Sequence, residues 1–353
     1  MTATAASTTR VVVIGGGTSS EHAVSLASAA AIADALDPAR FDVVSLTIRA
    51  DGSWAGPDGH DLAGDLAGAV AVLERADAAV AALHGPRGED GTLAALFDLV
   101  GIPYVGSGVA AGAIAMGKNA TKLLAASVGV ASAPGVLVHD AGDPRLAQLP
   151  LPLVVKPDRA GSSHGVAVVR DRQALGSAVA TALAFGEEVL VERYVQGREI
   201  DVAVIEHPDG RVTCLPPLEI VVPVGGIFDA GAKYEREPDF RIPAAVDADT
   251  LHALEAAAIA TFRAIGARGL ARVDFFATDD GLLLNEVNTF PGFTARSQVP
   301  RMAAAAGIEY PALVELLVET ALARADPHRV RRRLGPAPES AGRNTPQHVG
   351  ARR

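Results

Sequence analysis

Short unbroken apolar runs punctuate the first third of the chain. The segments 11-VVVIGGG-17, 41-FDVVSLTI-48 and 78-AAVAAL-83 read as strands buried on both faces, since a strand with one wet face would alternate apolar and polar positions. A helix is predicted after Gly17, with Ser19 or Ser20 as its N-cap and Glu21 in its first turn. A second helix covers 91–100 and a short strand follows at 103–106. This alternation predicts a parallel doubly wound sheet with ligand groups at the strand C-termini. From Lys118 the pattern changes. A helix over 118–128 leads to a strand at 135–138, a hairpin over 151–170, a helix over 171–185 and two strands over 187–206. A long irregular loop (223–240), a helix (247–266), a hairpin (270–288) and a last helix near 309–325 complete the pattern. Beyond Asp326 the chain turns rich in Pro, Gly and Arg without apolar periodicity, which predicts a disordered tail.

The hairpin 270-LARVDFFATDDGLLLNEVN-288 carries the first chemical signal. A three-residue loop over Asp279–Gly281 sets Thr278 opposite Leu282, Asp274 opposite Glu286 and Arg272 opposite Asn288. Side chains alternate along strands, so these last four share one face. Two carboxylates and an amide oxygen on a rigid surface make a hard-oxygen site that suits Mg²⁺ completed by phosphate oxygens. A wet-faced surface hairpin is the alternative.

Composition narrows the class. The 353 residues suffice for two or three domains, and 49% hydrophobic with 20% charged residues is ordinary for a soluble enzyme. A net charge of −10 argues against coating nucleic acid. Cys214 is the single cysteine, so no intrachain disulfide forms. No apolar run reaches membrane-spanning length and MTATAASTTR lacks a secretory core, so a cytoplasmic protein is expected. Only four of the 31 basic residues are lysines: Lys118, Lys122, Lys156 and Lys233. A lysine retained against an arginine bias points to a place for a compact point charge, as on a phosphate; chance survival of four lysines is the alternative.

Several constellations fit a nucleotide. Lys156 ends a strand and 160-AGSSHG-165 follows, a loop able to aim N–H groups and hydroxyls at phosphate, although the order is not that of a Walker A loop. The segment 192-ERYV-195 reads as a strand edge offering backbone groups to adenine, with Glu199 placed for a ribose. Lys233 and Tyr234 sit in a loop long enough to be a lid. A dinucleotide fingerprint is absent: 15-GGGTSSEH-22 does not fit G-x-G-x-x-G, and no acidic residue ends the second strand.

Taken in order, Gly-Gly-x-Ser-x-Glu, 84-HGPRGEDG-91, 156-KPDRAGSS-163, Lys233-Tyr234, 272-RVD-274 and 285-NEVNTFPG-292 resemble the D-alanine–D-alanine ligases of the ATP-grasp superfamily. The resemblance runs from about residue 11 to 325. It implies an α/β ATP-grasp fold with an N-terminal doubly wound parallel-sheet domain. The implied divisions are a substrate domain (1–117), a central domain (118–196), a C-terminal domain with lid and metal site (197–327) and a basic tail (328–353). The implied reaction joins two D-alanines through a D-alanyl phosphate, with ATP as co-substrate and two Mg²⁺ ions, Mn²⁺ being an alternative. Asp274, Glu286 and Asn288 would hold the metals. Lys118, Lys156, Ser163 and Lys233 would bind phosphates, Glu192, Arg193, Tyr194 and Val195 adenine, and Glu199 ribose. Glu21 would pair with the first ammonium beside His84, and Ser162 and Tyr234 would join Glu21 in closing the site. Arg272 and the N–H of Gly292 would form the oxyanion hole, and Ser297 would receive the second carboxylate. No nucleic acid, no membrane and a homodimer are expected. Ala230, Gly231, His164 and Gly117 depart from the family's usual residues. Rival readings are a D-alanine–D-lactate or D-alanine–D-serine ligase, an accessory copy beside an antibiotic pathway, and a nucleotide-binding regulator without catalysis.

Overall fold

Parallel pairing organises the first part of the chain. The structure, a computed structural model, describes residues 8–221 and 239–325. Lys233, Tyr234, the rest of the expected lid and the 328–353 tail lie outside the described residues. β1 (Thr9–Gly16) pairs in parallel with β2 (Phe41–Ile48) and with β4 (Ala78–Ala81), and β4 with β5 (Tyr104–Val105). The short β3 (Trp54–Ala55) closes the β2 edge antiparallel, giving the order β3-β2-β1-β4-β5. The apolar run of β1 feeds two cores. Val11 and Val13 face one side with Ile32 of α1 (His22–Ala35), while Val12 and Ile14 face Leu73 of α2 (Leu66–Leu73) and Phe97 of α3 (Thr92–Val100). That two-sided burial is why the strand reads as continuous rather than alternating.

Two antiparallel sheets follow. α4 (Val109–Met116) and α5 (Lys118–Ser127) lead into a four-stranded sheet of β6 (Gly135–Val138), β7 (Leu153–Pro157), β8 (Ala167–Val169) and β9 (Val189–Arg193) in the order β6-β9-β7-β8, with α6 (Leu175–Leu183) packed on it. The last sheet has six strands: β10 (Arg198–Glu206), β11 (Val212–Cys214), β12 (Leu218–Val221), β13 (Asp239–Arg241), β14 (Leu270–Thr278) and β15 (Gly281–Asn288), with β10 and β14 central. α7 (Ala248–Ala264) covers one face, started by Asp247, whose side chain accepts from the Thr250 N–H at 2.7 Å. α8 (Gln298–Ala305) and α9 (Tyr310–Ala323) help cover the other face, in a core shared with β1 and α1. Among the described residues no helix is long and apolar enough to cross a membrane.

Two local expectations need correction. Glu21, not Ser19 or Ser20, is the N-cap residue of α1, and its side chain makes no capping bond. And β9 lies inside its sheet, so Glu192 and Arg193 are flanked by β6 and β7 rather than set on an edge. The Arg193 and Tyr194 N–H groups already donate to the Pro134 and Pro152 carbonyls.

The end of β1 depends on a glycine. Gly16 has φ +93°, and a Cβ there would come 2.1 Å from the Ile48 carbonyl oxygen of β2. Gly16→Ala should therefore destabilise the fold by on the order of 3 kcal/mol, as backbone strain and a clash combine. Urea unfolding of the two proteins checks this, and equal midpoints would contradict it.

Candidate active site

Two cavities, of about 360 and 300 Å³, meet at a common wall formed by Lys118, the 160–162 segment, Glu199 and Glu286. The first is lined by strands of the six-stranded sheet and by loops that follow strands of the other two, with Glu21, His84, Arg272, Asn288, Gly292 and Ser297 among its residues. The second runs under β7 and past the end of β9, and holds Lys156, Ser163 and the whole of 192–195. Every described site residue named from the sequence lines one cavity or both.

The hairpin delivers its residues by an unexpected route. Thr278 faces Gly281, not Leu282, so the loop has two residues, and Phe275 faces Leu284. The register then shifts between Asp274 and Phe275, and a bulge takes up Asn285. Past the bulge the expected pairs stand: Asp274 opposite Glu286, Arg272 opposite Asn288. Asn285, set free of the pairing, accepts from Lys156 Nζ at 3.1 Å.

Arg272 anchors this surface. Its Nε and a terminal nitrogen donate to the two Asp274 oxygens at 2.7 and 2.8 Å, and its other terminal nitrogen donates to Gln298 Oε1 at 2.5 Å. Gln298 Nε2 donates in turn to Asp201 Oδ2 at 2.8 Å. Burial opposes the Arg272 charge, but Asp274 and Asp201 outweigh it and raise its pKa. Asp201 is fully buried opposite Asp274, and burial, then the Asp274 charge, push its pKa well up.

The donor set fits a hard cation. Among the described residues no three acidic, His or Cys side chains converge, so the set is two carboxylates and an amide. Such a sparse set suits Mg²⁺, which keeps other oxygen ligands from water or phosphate. Asp274 accepts from Arg272 and from Asn288 Nδ2 (3.0 Å), yet a carboxylate has about four lone-pair sites and can ligate as well. Glu286 stands 3.4 Å from Lys118 Nζ.

In the first cavity, Ser162 Oγ donates to Glu21 Oε1 at 2.6 Å, tying the 160–165 loop to the start of α1. Ser162 and Ser163 hold φ of +51° and +56°, a costly conformation for serine that aims this loop. Glu21 is further fixed by its N–H, which donates to Ser19 Oγ at 3.2 Å, while Ser19 donates to the His84 carbonyl at 2.8 Å. His84 is buried. Its Nδ1–H donates to the Phe290 carbonyl at 3.0 Å, so Nε2 accepts from Ser28 Oγ at 3.0 Å. Burial lowers its pKa, and a neutral ring suits this pattern. With both nitrogens engaged, His84 braces the loops around Glu21. Ser297 Oγ accepts from the Thr294 N–H at 3.0 Å, at the start of α8. His164 contacts Ser20 Oγ at 3.3 Å and stacks on Phe185 at 6.0 Å.

In the second cavity, Lys118 Nζ donates to the Ala160 carbonyl at 2.8 Å. Gly117 lacks a capping side chain, and Asp158 of the neighbouring loop accepts from the Asn119 N–H at 2.8 Å instead. Lys156 Nζ lies 2.5 Å from Glu192 Oε1, and Lys122 bonds the other Glu192 oxygen. Burial favours the neutral acid, but Lys156 and Lys122 hold the Glu192 pKa low. Burial and the Lys156 charge push Lys122 down to about 8, against Glu192 and Glu286.

Three residues of this region escaped the sequence reading, Glu89, Asp201 and Gln298, as did the contact of Lys122 with Glu192. Glu89 stood in the quoted 84–91 block. It accepts from the Gly85 N–H (2.8 Å) and the Phe290 N–H (3.1 Å), joining the loop after β4 to the loop after β15. Asp201 was signalled by its spacing, two residues from Glu199 on a strand. For Gln298 no local signal exists.

Comparisons with known proteins agree with this geometry. A family model described as "D-ala D-ala ligase N-terminus" matches residues 10–107, and one described as "D-ala D-ala ligase C-terminus" matches 138–319. A D-alanine–D-alanine ligase of Mycolicibacterium smegmatis is 42% identical, over 90% of this chain and 96% of that protein. Among solved structures, the VanG D-Ala:D-Ser ligase of Enterococcus faecalis superposes with TM-score 0.78 at 29% identity, covering 89% of this chain and 100% of that one. The D-alanine–D-alanine ligase of Bacillus anthracis complexed with ATP gives 0.75 at 30% identity, covering 93% and 100%.

Glu89 generates a pH prediction. Burial raises its pKa from 4.5 to about 7. The folded protein thus holds a proton that the unfolded chain loses above its ordinary pKa, so this group's stabilisation is full below about pH 4.5 and is lost as pH rises through about 7. Glu89→Gln removes that titration. The stability difference between wild type and variant should shrink across this window in urea unfolding at stepped pH; a constant difference would contradict the assignment.

Proposed function

We infer the chemistry from one premise: the chain belongs to the D-alanine–D-alanine ligase family. Its fold is the ATP-grasp fold with an N-terminal doubly wound sheet. The protein is an ATP-dependent ligase that joins two D-alanines for peptidoglycan precursor synthesis, with release of ADP and phosphate. The carboxylate of the first D-alanine takes the γ-phosphoryl group of ATP and becomes an acyl phosphate. The amine of the second attacks the acyl carbon, and phosphate leaves. The observation that carries this reading is the wall shared by the two cavities, where Lys118, Ser162 and Glu286 front both. A phosphoryl group passing from nucleotide to substrate must cross there.

Each side chain then has a task. Glu21, held by Ser162, takes the ammonium of the first D-alanine. Arg272 and the Gly292 N–H face the oxyanion of the tetrahedral intermediate, and the grip of Asp274 and Gln298 keeps the guanidinium oriented before charge develops. Ser297 receives the second carboxylate. Lys118 and Lys156 take up phosphate charge, with Ser163 on the loop between them; the 192–195 segment meets adenine and Glu199 the ribose. Lys233 and Tyr234 would close over the nucleotide as a lid. Asp274, Glu286 and Asn288 would hold two Mg²⁺ ions, or Mn²⁺, which supply neutralisation of the phosphate charge. The divisions at 117, 196 and 327, a cytoplasmic location and a homodimer belong to the same reading.

The deciding assay is ADP formation with D-alanine, D-serine, D-lactate or L-alanine as second substrate, with the product identified by mass. D-alanine-dependent turnover giving the dipeptide is expected; its absence with active ATP binding would leave a regulator. Preference for D-serine would instead align the chain with the substrate named for its Enterococcus neighbour.

Glu286→Gln should lower turnover by at least about a thousandfold, since charge is lost where phosphate charge gathers. Its side chain is 24% exposed, so the fold should stand. Near-wild-type turnover with saturating ATP and Mg²⁺ would remove Glu286 from the metal site.

A further inference from the structure

Of the four lysines kept against the arginine bias, Lys122 has no part in the reaction just described. It lies one turn beyond Lys118 on α5 and does not line the nucleotide cavity, whereas Lys118 and Lys156 do. Its contact is with Glu192. Lys122, Lys156 and Glu192 have side chains 7, 6 and 5% exposed, so one carboxylate holds two ammonium groups out of water. The arrangement is asymmetric. Lys156 lines the cavity and has a second partner in Asn285, while Lys122, equally buried, does not line it.

Lys156 has three N–H donors with Glu192 and Asn285 as partners, and a nucleotide phosphate at this lysine competes with Glu192 for its charge and draws it away. If Glu192 had no other cation, that step would leave a buried, unpaired carboxylate, which is strongly unfavourable. We propose that Lys122 is a positioning residue for the nucleotide: it keeps the Glu192 charge neutralised, so that Lys156 can pass its hydrogen bond from Glu192 to phosphate. The inference rests on reading the second cavity as the nucleotide site. It also accounts for the mutual repulsion of the two ammonium groups, which ends when Lys156 turns toward the phosphate.

Calorimetric binding of ADP and of adenosine to the full chain, with Mg²⁺ constant, tests this. Lys122→Met should weaken ADP by at least about tenfold but adenosine by less than about twofold, because only the phosphate contact needs Lys156 released. Lys122→Arg, which keeps the charge, should bind both within about threefold of wild type. With Glu192→Gln the charge to be held is gone, so Lys122→Met added to it should cost ADP affinity less than about twofold. That pair of variants decides the matter if Lys122→Met alone does not fold. Unchanged ADP affinity in Lys122→Met, equal losses for ADP and adenosine, or a further tenfold loss in the double variant would each overturn the proposal. Wild type that binds ADP without D-alanine-dependent turnover strikes the reaction assigned above and not this inference; wild type that binds no ADP strikes both.

Discussion

A guanidinium buried against two carboxylates is the constraint around which the catalytic surface is arranged. Arg272 is largely withdrawn from water, so most of its charge has to be met by fixed partners, and Asp274, Asp201 and Gln298 meet it. Each partner comes from a different segment: β14 itself, β10 and the first residue of α8. Their bonds to one side chain therefore fix how two central strands and a helix start sit together. Asn288 adds β15 through its bond to Asp274. Weakening any one contact would leave a buried polar group unmet, so the surface is held as a unit rather than as separate residues.

Alternation made the hairpin's chemistry legible. Once Asp274 and Glu286 were set opposite each other, Arg272 and Asn288 had to share their face. The turn was not legible in the same way. The 279-DDG-281 signal fits a two- or a three-residue loop, and nothing local marks a bulge at Asn285. Reading one residue too many into the loop and missing one in the strand compensated, which left the functional pairs correct for an incomplete reason. The position of β9 failed on a different ground. A run such as VLVER reads alike in the middle of a sheet and at its edge, because sheet order is set by contacts distant in sequence. The N-cap of α1 reads as Ser19 or Ser20 with Glu21 in the first turn, but it falls on Glu21, whose carboxylate is drawn out to Ser162. The 66–73 helix escaped because 66-LAGAVAVL-73 is nearly continuous in apolar residues and shows no helical period.

The 160–165 loop shows how function overrides local preference. Two consecutive serines in the left-handed region are unfavourable where glycine would be at ease, and glycines stand on both sides of them. The hydroxyl of Ser162 gains a charged partner in Glu21 across a separation of 141 residues. A glycine in its place would relax the backbone and lose that bond. The conformation persists because the surroundings determine it, with Lys118 holding the Ala160 carbonyl at the loop's near end.

The core shared by β1, α1, α8 and α9 bears on how the chain is made. Val11 and Val13 are covered together with Phe293, Met302 and Leu317, residues nearly three hundred positions later. On a ribosome the first sheet emerges long before those partners exist, and α1 alone covers part of its Val11 and Val13 face until the segment around 290–320 has been made. The rest of that face is an exposed apolar surface on every nascent chain. Its completion waits for those later residues, and the early sheet is the segment that a chaperone would meet first.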